Sequence, residues 1–368
     1  MSTLITIDLD ALAANFRYCR EHVAPADCAA VVKADGYGLG IRHVARALRH
    51  AGCRQFFTAT HREAIGLRSL LPDAVIYVLE GVQKRSVSAL RKHDLVPVLI
   101  SAPQAAIWAE QARREGCRLP AVVDIDTGMT RLGFSGRELR EFAEGGDAGQ
   151  FDLQYVMTHF ASAEEPGAAL AREQLERFDS LRRLLPDTPT CIGNSAGSLL
   201  GPEFAGDLAR VGIALFGGNP YPEDHEMPLR PVLRVQSRIL QLRDIDEETT
   251  VGYGATYSAK PGTRIATVGI GYADGYPWSL GNRGIAAVNG HRVPVIGRVS
   301  MDLITLDVTG VPVELIQPGS LVDLIGPDIT LEEVAERAGT IPYEILTRLG
   351  QRASRTFLGG PPEDLADN

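Results

Sequence analysis

Eight short apolar runs, rich in β-branched and aromatic residues, recur near 28–33, 55–60, 74–79, 95–100, 120–125, 153–159, 189–193 and 208–213. Helix-period segments lie between most of them, at 41–51, 62–71, 84–93, 103–115, 136–144 and 168–185. Strands that alternate with helices return in parallel, because the crossover helix carries the chain back over the sheet. About eight such units over about 190 residues predict a closed (β/α)8, TIM-like barrel. An open doubly wound sheet is the competing layout, but no G-x-G-x-x-G follows the first strand.

The pattern changes after Phe216. Gly217-Gly218-Asn219-Pro220 and Met227-Pro228 mark a linker. Beyond it, strand-like alternation dominates at Val232 to Leu242, Arg264 to Ile270, Ile285 to Val288, Val293 to Ile296 and Leu303 to Val308. Asn289-Gly290 is a hairpin turn signal within that set. A helix is expected over Thr330 to Ala338, with Thr330 as its cap and Glu333 at the third position, and another after Pro342. The chain therefore divides into an α/β barrel over 1–226 and a mostly β domain over 227–368. Ile5 to Asp10 reads as a strand running into a helix capped by Asp8, and residues 1–8 are a candidate to pair with the β domain. The tail Gly359 to Asn368 is expected to fray.

An apolar share of 45% and a charged share of 23%, spread over 368 residues, are enough for a sizeable core. A net charge of −9 with no basic run argues against a nucleic-acid or membrane-surface partner. No apolar stretch approaches the roughly 18–20 residues that span a bilayer. Met1 to Asp10 is acidic and lacks a basic leader, so no signal peptide is expected. The five cysteines are odd in number and include no C-x-x-C pair, which predicts reduced thiols, a cytoplasmic location and no zinc site.

In a barrel, residues at the C-terminal strand ends share one mouth. The polar residues predicted there are Lys33, the Asp126 to Arg131 turn, His159, Asn194-Ser195 and Arg210 to Gly212. Lys33 closes an apolar run and enters a glycine-rich turn, Val31-Val32-Lys33-Ala34-Asp35-Gly36-Tyr37-Gly38-Leu39-Gly40. Burial depresses a lysine's pKa and makes it a usable amine nucleophile or base. Exposed glycine N–H groups and the Tyr37 hydroxyl suit a Schiff-base lysine beside a phosphate. Each residue also has a plainer reading. Lys33 could snorkel from a strand end, His159 could be a core histidine, Arg210 could pair with Asp207, and Asn194-Ser195 could merely cap a helix.

The lysine stretch resembles the V-K-A-[DN]-A-Y-G-H-G motif of the alanine racemase family, the barrel-type pyridoxal phosphate (PLP) enzymes. Others follow in order: Asp126-Thr127-Gly128-Met129-Thr130-Arg131-Leu132-Gly133, Thr158-His159-Phe160, Asn194-Ser195-Ala196, Arg210 to Gly217 and Val251 to Tyr257. Gly271-Tyr272-Ala273-Asp274-Gly275 and Gly297 to Asp302 complete the set, so the resemblance spans nearly the whole chain. It implies that Lys33 holds PLP and acts as one base, while Tyr253 acts as the second base on the opposite face. It implies that Tyr37, Ser195 and the N–H groups of Gly212 and Ile213 bind phosphate, with Asn194 beside them. Arg210 is implied to face the pyridine nitrogen and keep it unprotonated, and His159 to link Arg210 to Tyr253. Arg131 and the Met301 N–H are implied to hold the substrate carboxylate, with Tyr272 narrowing the entrance. Because Tyr253 and Met301 are implied to come from the other subunit, a homodimer with composite sites follows.

The implied activity is interconversion of L- and D-alanine, supplying D-alanine for peptidoglycan. Gly36 and Leu39 stand for the alanine and the histidine of the lysine motif, and two further positions depart from the family pattern. Asp124 stands where many members carry a carbamylated lysine that orients the arginine, and Gln351 where many have a tyrosine at the phosphate and entrance. Gln351 is the one sequence feature favouring a broader amino-acid racemase. A PLP-binding barrel without catalysis would lack the β domain and Tyr253, and a metal-dependent barrel hydrolase would need a ligand cluster that the sequence does not offer.

Overall fold

A computed structural model describes residues 3–165, 169–221 and 227–361. Eight parallel strands close into a barrel in chain order: β2 (Asp27–Val31), β3 (Gln55–Thr58), β4 (Val75–Val78), β5 (Val96–Leu99), β6 (Leu119–Asp124), β7 (Phe151–Met157), β8 (Thr190–Cys191) and β9 (Leu208–Val211). β9 pairs back onto β2, from Asp27 opposite Leu208 to Ala30 opposite Val211. Most of these strands are buried on both faces, which is why they read as continuous apolar runs rather than alternating ones. Outer helices at Ile41–His50, His61–Leu70, Val87–Lys92, Ala102–Glu115, Gly136–Glu144 and Ala169–Arg182 cover them. Trp108, fully buried on one of these helices, donates its indole N–H to the Pro120 carbonyl and so pins that helix to β6.

β1 (Thr3–Asp8) lies outside the barrel. It pairs antiparallel with β10 (Leu233–Asp244) and parallel with β18 (Ser354–Leu358), joining the two ends of the chain in one sheet. Asp8 then caps the following helix, Leu9–Val23, by accepting the Ala11 N–H at 2.8 Å. The other strands of the C-terminal domain are β11 (Thr249–Val251), β12 (Tyr257–Ala259), β13 (Arg264–Val268), β14 (Ile285–Val288), β15 (His291–Ile296), β16 (Ile304–Asp307) and β17 (Leu321–Ile325). The main sheet runs β13-β16-β15-β14-β17-β10-β1-β18, and β13 also pairs with β10, so part of the sheet curls back on itself. Asn289 and Gly290 both have positive φ in the β14–β15 turn, as a tight hairpin of this type requires.

Two local expectations are corrected. Thr330 caps the helix Leu331–Ala338, but the Glu333 carboxylate pairs with Arg292 and Arg337 instead of completing a capping box. The first barrel strand stops at Val31, so Lys33 sits in the turn beyond it and does not close the strand. The boundary at 226/227 abuts residues 222–226, and most of the tail, 362–368, also lies outside the described residues.

Candidate active site

Lys33 opens the mouth. Its side chain is half-buried, and its amine makes no hydrogen bond or ion pair with any described residue. Burial, then Arg131 and Arg210, pull its pKa below the ordinary lysine value, with Glu63 opposing. The five residues that follow, Ala34 to Gly38, all have positive φ. For the non-glycine members, Ala34, Asp35 and Tyr37, this costs on the order of 1 kcal/mol each. The Asp35 carboxylate accepts the Ile41 N–H at 2.9 Å and ties the turn to the next helix.

The turn delivers Tyr37 to β9. Its buried ring stacks on Phe216 with centroids 4.6 Å apart, and burial raises the phenol pKa so that it stays a donor. A Cβ at Gly212 would lie 2.3 Å from the Tyr37 hydroxyl, so this approach requires glycine. Ser195 Oγ accepts the Gly212 N–H at 2.9 Å, which leaves the Ser195 O–H to donate elsewhere. The Ile213 N–H has no acceptor among the described residues. Asn194 caps the helix Ser195–Leu200 by accepting the Gly197 N–H at 2.8 Å. The plainer reading of Asn194 therefore holds for its side chain, whereas Ser195 also reaches β9.

Arg210 is buried and does not pair with Asp207, whose carboxylate instead accepts from Thr190. Its Nη1 donates to the Cys191 carbonyl at 2.7 Å, and Nη2 donates to the Thr158 carbonyl at 2.8 Å and to His159 Nδ1 at 3.1 Å. Nε has no acceptor among the described residues. An arginine only donates, so His159 Nδ1 must accept and the imidazole proton sits on Nε2. Burial, then the charges of Arg210, Arg131 and Lys33, push the His159 pKa down to about 3. The ring is neutral at any working pH.

Arg131 projects from a loop after β6. Asp126 shapes this loop by accepting the Gly128 and Thr130 N–H groups at 2.9 and 3.0 Å. The Arg131 guanidinium is exposed, and no ion pair holds it among the described residues. Asp124, at the end of β6, is buried, and its carboxylate has no hydrogen bond among the described residues. Burial raises its pKa from 3.8 to about 6, against the pull of Arg210 and Arg131. A carboxyl whose folded pKa is raised stabilises the fold below pH 4 and loses that contribution as pH rises through 6. The difference amounts to about 3 kcal/mol. Asp124→Asn is therefore expected to gain up to about 3 kcal/mol in urea unfolding at pH 8 and little at pH 3. Equal effects at both pH values would rule out an ionised, buried Asp124.

The structure brings Lys33, Tyr37, Arg131, His159, Asn194, Ser195, Arg210, Gly212 and Ile213 to one mouth. No hydrogen bond or ion pair among the described residues joins Tyr253, Tyr272 or Met301 to that group. They lie on loops of the C-terminal domain and are 72%, 45% and 53% exposed, unusually high for such side chains. Those loops are braced: Tyr272 N–H donates to Ser300 O at 3.1 Å and Ala273 N–H to Met301 O at 3.0 Å. Arg352 grips buried Asp274 with two bonds, at 2.8 and 3.0 Å, and Asp302 with a third at 2.6 Å. The Met301 N–H is left without an acceptor among the described residues. Arg352 and Asp274 were not anticipated in this bracing role, and an isolated arginine near the C-terminus carries no signal for it. Gln351, beside Arg352, is exposed, whereas Tyr343 brings its ring within 6.1 Å of Tyr37.

Family comparison decides between the readings. The model of "Alanine racemase, N-terminal domain" matches residues 7–220, and that of "Alanine racemase, C-terminal domain" matches 232–357. The chain belongs to the alanine racemase family. It is 48% identical over 357 residues to an alanine racemase of Methylobacterium nodulans, covering 97% of this chain and 96% of that one. An alanine racemase of Rhodospirillum rubrum is 46% identical over 361 residues, covering 97% and 96%. Among solved structures, the Bartonella henselae alanine racemase with covalently bound pyridoxal phosphate superposes with a TM-score of 0.94 at 37% identity, over 97% of this chain and all of that one. No helix among the described residues is long and apolar enough to cross a membrane.

Proposed function

We propose that this chain is a PLP-dependent alanine racemase, interconverting L- and D-alanine by a two-base route at the barrel mouth. The observation that carries the reading is the convergence of an unpaired, depressed lysine amine, a neutral histidine and a buried arginine on one mouth. The donor set fits PLP. The Tyr37 and Ser195 hydroxyls and the free Ile213 N–H suit a phosphate, and the Arg210 Nε proton suits a ring nitrogen. The Gly212 N–H is committed to Ser195 Oγ and reaches phosphate only by sharing that bond. Once bound, PLP supplies the electron sink that acidifies the substrate Cα–H.

Lys33 Nζ would hold the cofactor covalently and, when released, exchange the Cα proton on one face. Tyr253 would exchange it on the other. A phenol needs its pKa lowered for that task, and a neutral His159 presenting Nε2–H, backed by Arg210, would stabilise the phenolate. Arg131 would bind the substrate carboxylate together with the Met301 N–H, with the Asp124 charge behind the arginine.

Tyr253, Tyr272 and Met301, exposed in one chain, would complete the site of a second, in a two-fold homodimer with composite mouths. Five free cysteines, four of them buried, fit a reducing cytoplasm, and the D-alanine formed would serve peptidoglycan synthesis. The test is a chiral assay with PLP, offering L-alanine, L-serine and L-lysine side by side. D-alanine is the expected dominant product. Comparable D-serine or D-lysine would make the enzyme a broad racemase, and bound PLP without racemisation would overturn the reading.

A further inference from the structure

The five-residue left-handed run after Lys33 persists only if its surroundings over-determine it. Asp35 holds its far side through the Ile41 N–H, and Arg355 Nη1 holds its end by donating to the Gly38 carbonyl at 2.7 Å. Its first member is held by a residue from another unit of the barrel. Glu63 Oε1 accepts the Ala34 N–H at 2.8 Å, while Oε2 accepts the N–H groups of Ala59 at 2.8 Å and Thr60 at 3.1 Å. One carboxylate thus bridges the end of β3 and the turn that carries Lys33.

The gripped N–H belongs to the peptide that joins Lys33 to Ala34, so its direction sets the backbone from which the lysine projects. We propose that Glu63 is a positioning residue for Lys33, fixing that peptide through Oε1 so that the amine points into the mouth. The proposal rests on the racemase reading above. Glu63 also forms a capping box with Thr60 at the start of helix His61–Leu70, but the cap uses only Oε2 and the Thr60 hydroxyl. The bond from Oε1 contributes nothing to the helix. The charge acts too: of the groups that shift the Lys33 amine, Arg131 and Arg210 lower its pKa and Glu63 alone opposes them.

The test compares Glu63→Ala and Glu63→Gln with Thr60→Ala as the cap control, all as PLP-loaded full-length protein. Glutamine keeps the shape but has one acceptor oxygen for the two sides that the carboxylate serves. Both Glu63 variants are expected to lose roughly 10- to 100-fold in kcat in both directions, with KM little changed, as a misplaced reacting group requires. The visible absorbance of PLP on Lys33 is expected to titrate at lower pH, because the anion that favours the protonated nitrogen is gone. Thr60→Ala is expected to lower the melting temperature while leaving kcat and the absorbance titration unchanged. If Thr60→Ala reproduces the Glu63 effects, or Glu63→Gln matches wild type in both readouts, the positioning role is overturned. A wild-type protein that neither racemises alanine nor develops the absorbance would instead overturn the racemase reading itself.

Discussion

A Lys33→Ala variant is expected to lose the visible absorbance of lysine-bound PLP and racemisation in both directions, by about 10⁴-fold or more. The loss is large because two tasks fall on one atom. In the proposed mechanism Nζ would hold the cofactor and, once freed, exchange the Cα proton on its face. Nothing nearby can substitute: Lys84, Lys92 and Lys260 are exposed outside the site residues described above. The amine is suited to both tasks because burial, Arg131 and Arg210 lower its pKa and no described residue occupies it with an ion pair. A titration of the variant with PLP, followed by absorbance, and a chiral assay for each enantiomer check this. Undiminished visible absorbance would place the attachment on another lysine and remove the centre of the proposed mechanism.

Tyr253→Ala is expected to slow proton abstraction from L-alanine by about 10²- to 10⁴-fold and abstraction from D-alanine far less. The asymmetry would follow from the two proposed bases on opposite faces of Cα, each serving one enantiomer. His159 is central to it. Accepting from Arg210 at Nδ1 leaves Nε2–H as its outward donor, and a pKa of about 3 keeps the ring from adding a charge of its own. Single-turnover exchange of the α-hydrogen with deuterated solvent, measured from each enantiomer, separates the two halves. Equal losses would refute the side assignment. The same variant tests the composite site. If the sites are composite in a homodimer, reassembling equal amounts of Lys33→Ala and Tyr253→Ala subunits makes half the dimers hybrid with one intact site each, so roughly a quarter of wild-type activity per subunit should return. Activity that stays at the level of the separate variants would place Tyr253 and Lys33 in the same chain's site.

Much of the barrel was legible in the sequence. The buried strands read as continuous apolar runs because both faces of a parallel sheet are covered, and the helices carry their own period. Single polar residues were legible by type and less so by partner. Arg210 had Asp207 three residues away as an obvious mate, yet its guanidinium bonds the Cys191 and Thr158 carbonyls and His159. Glu63 drew no reading from the sequence: Thr60-x-x-Glu63 has the spacing of a helix cap, and nothing in that spacing indicates the bond to Ala34.

Legible along the chain were the β/α rhythm, the change of grammar after Phe216 and the ordered motifs that carry Lys33, Arg131, His159, Ser195 and Arg210 at or just beyond the C-terminal ends of barrel strands. These are local properties: burial repeats along a strand or helix, and a strand end in a closed barrel faces the mouth. The packed fold alone reveals that β1 bridges the first and last strands of the other domain, that Ala34 to Gly38 turn left-handed, and that Arg352 braces the loops of Tyr272 and Met301. Each depends on polar contacts between segments remote in the chain. Such contacts satisfy backbone and side-chain groups one at a time, and so they leave no periodic trace along the sequence.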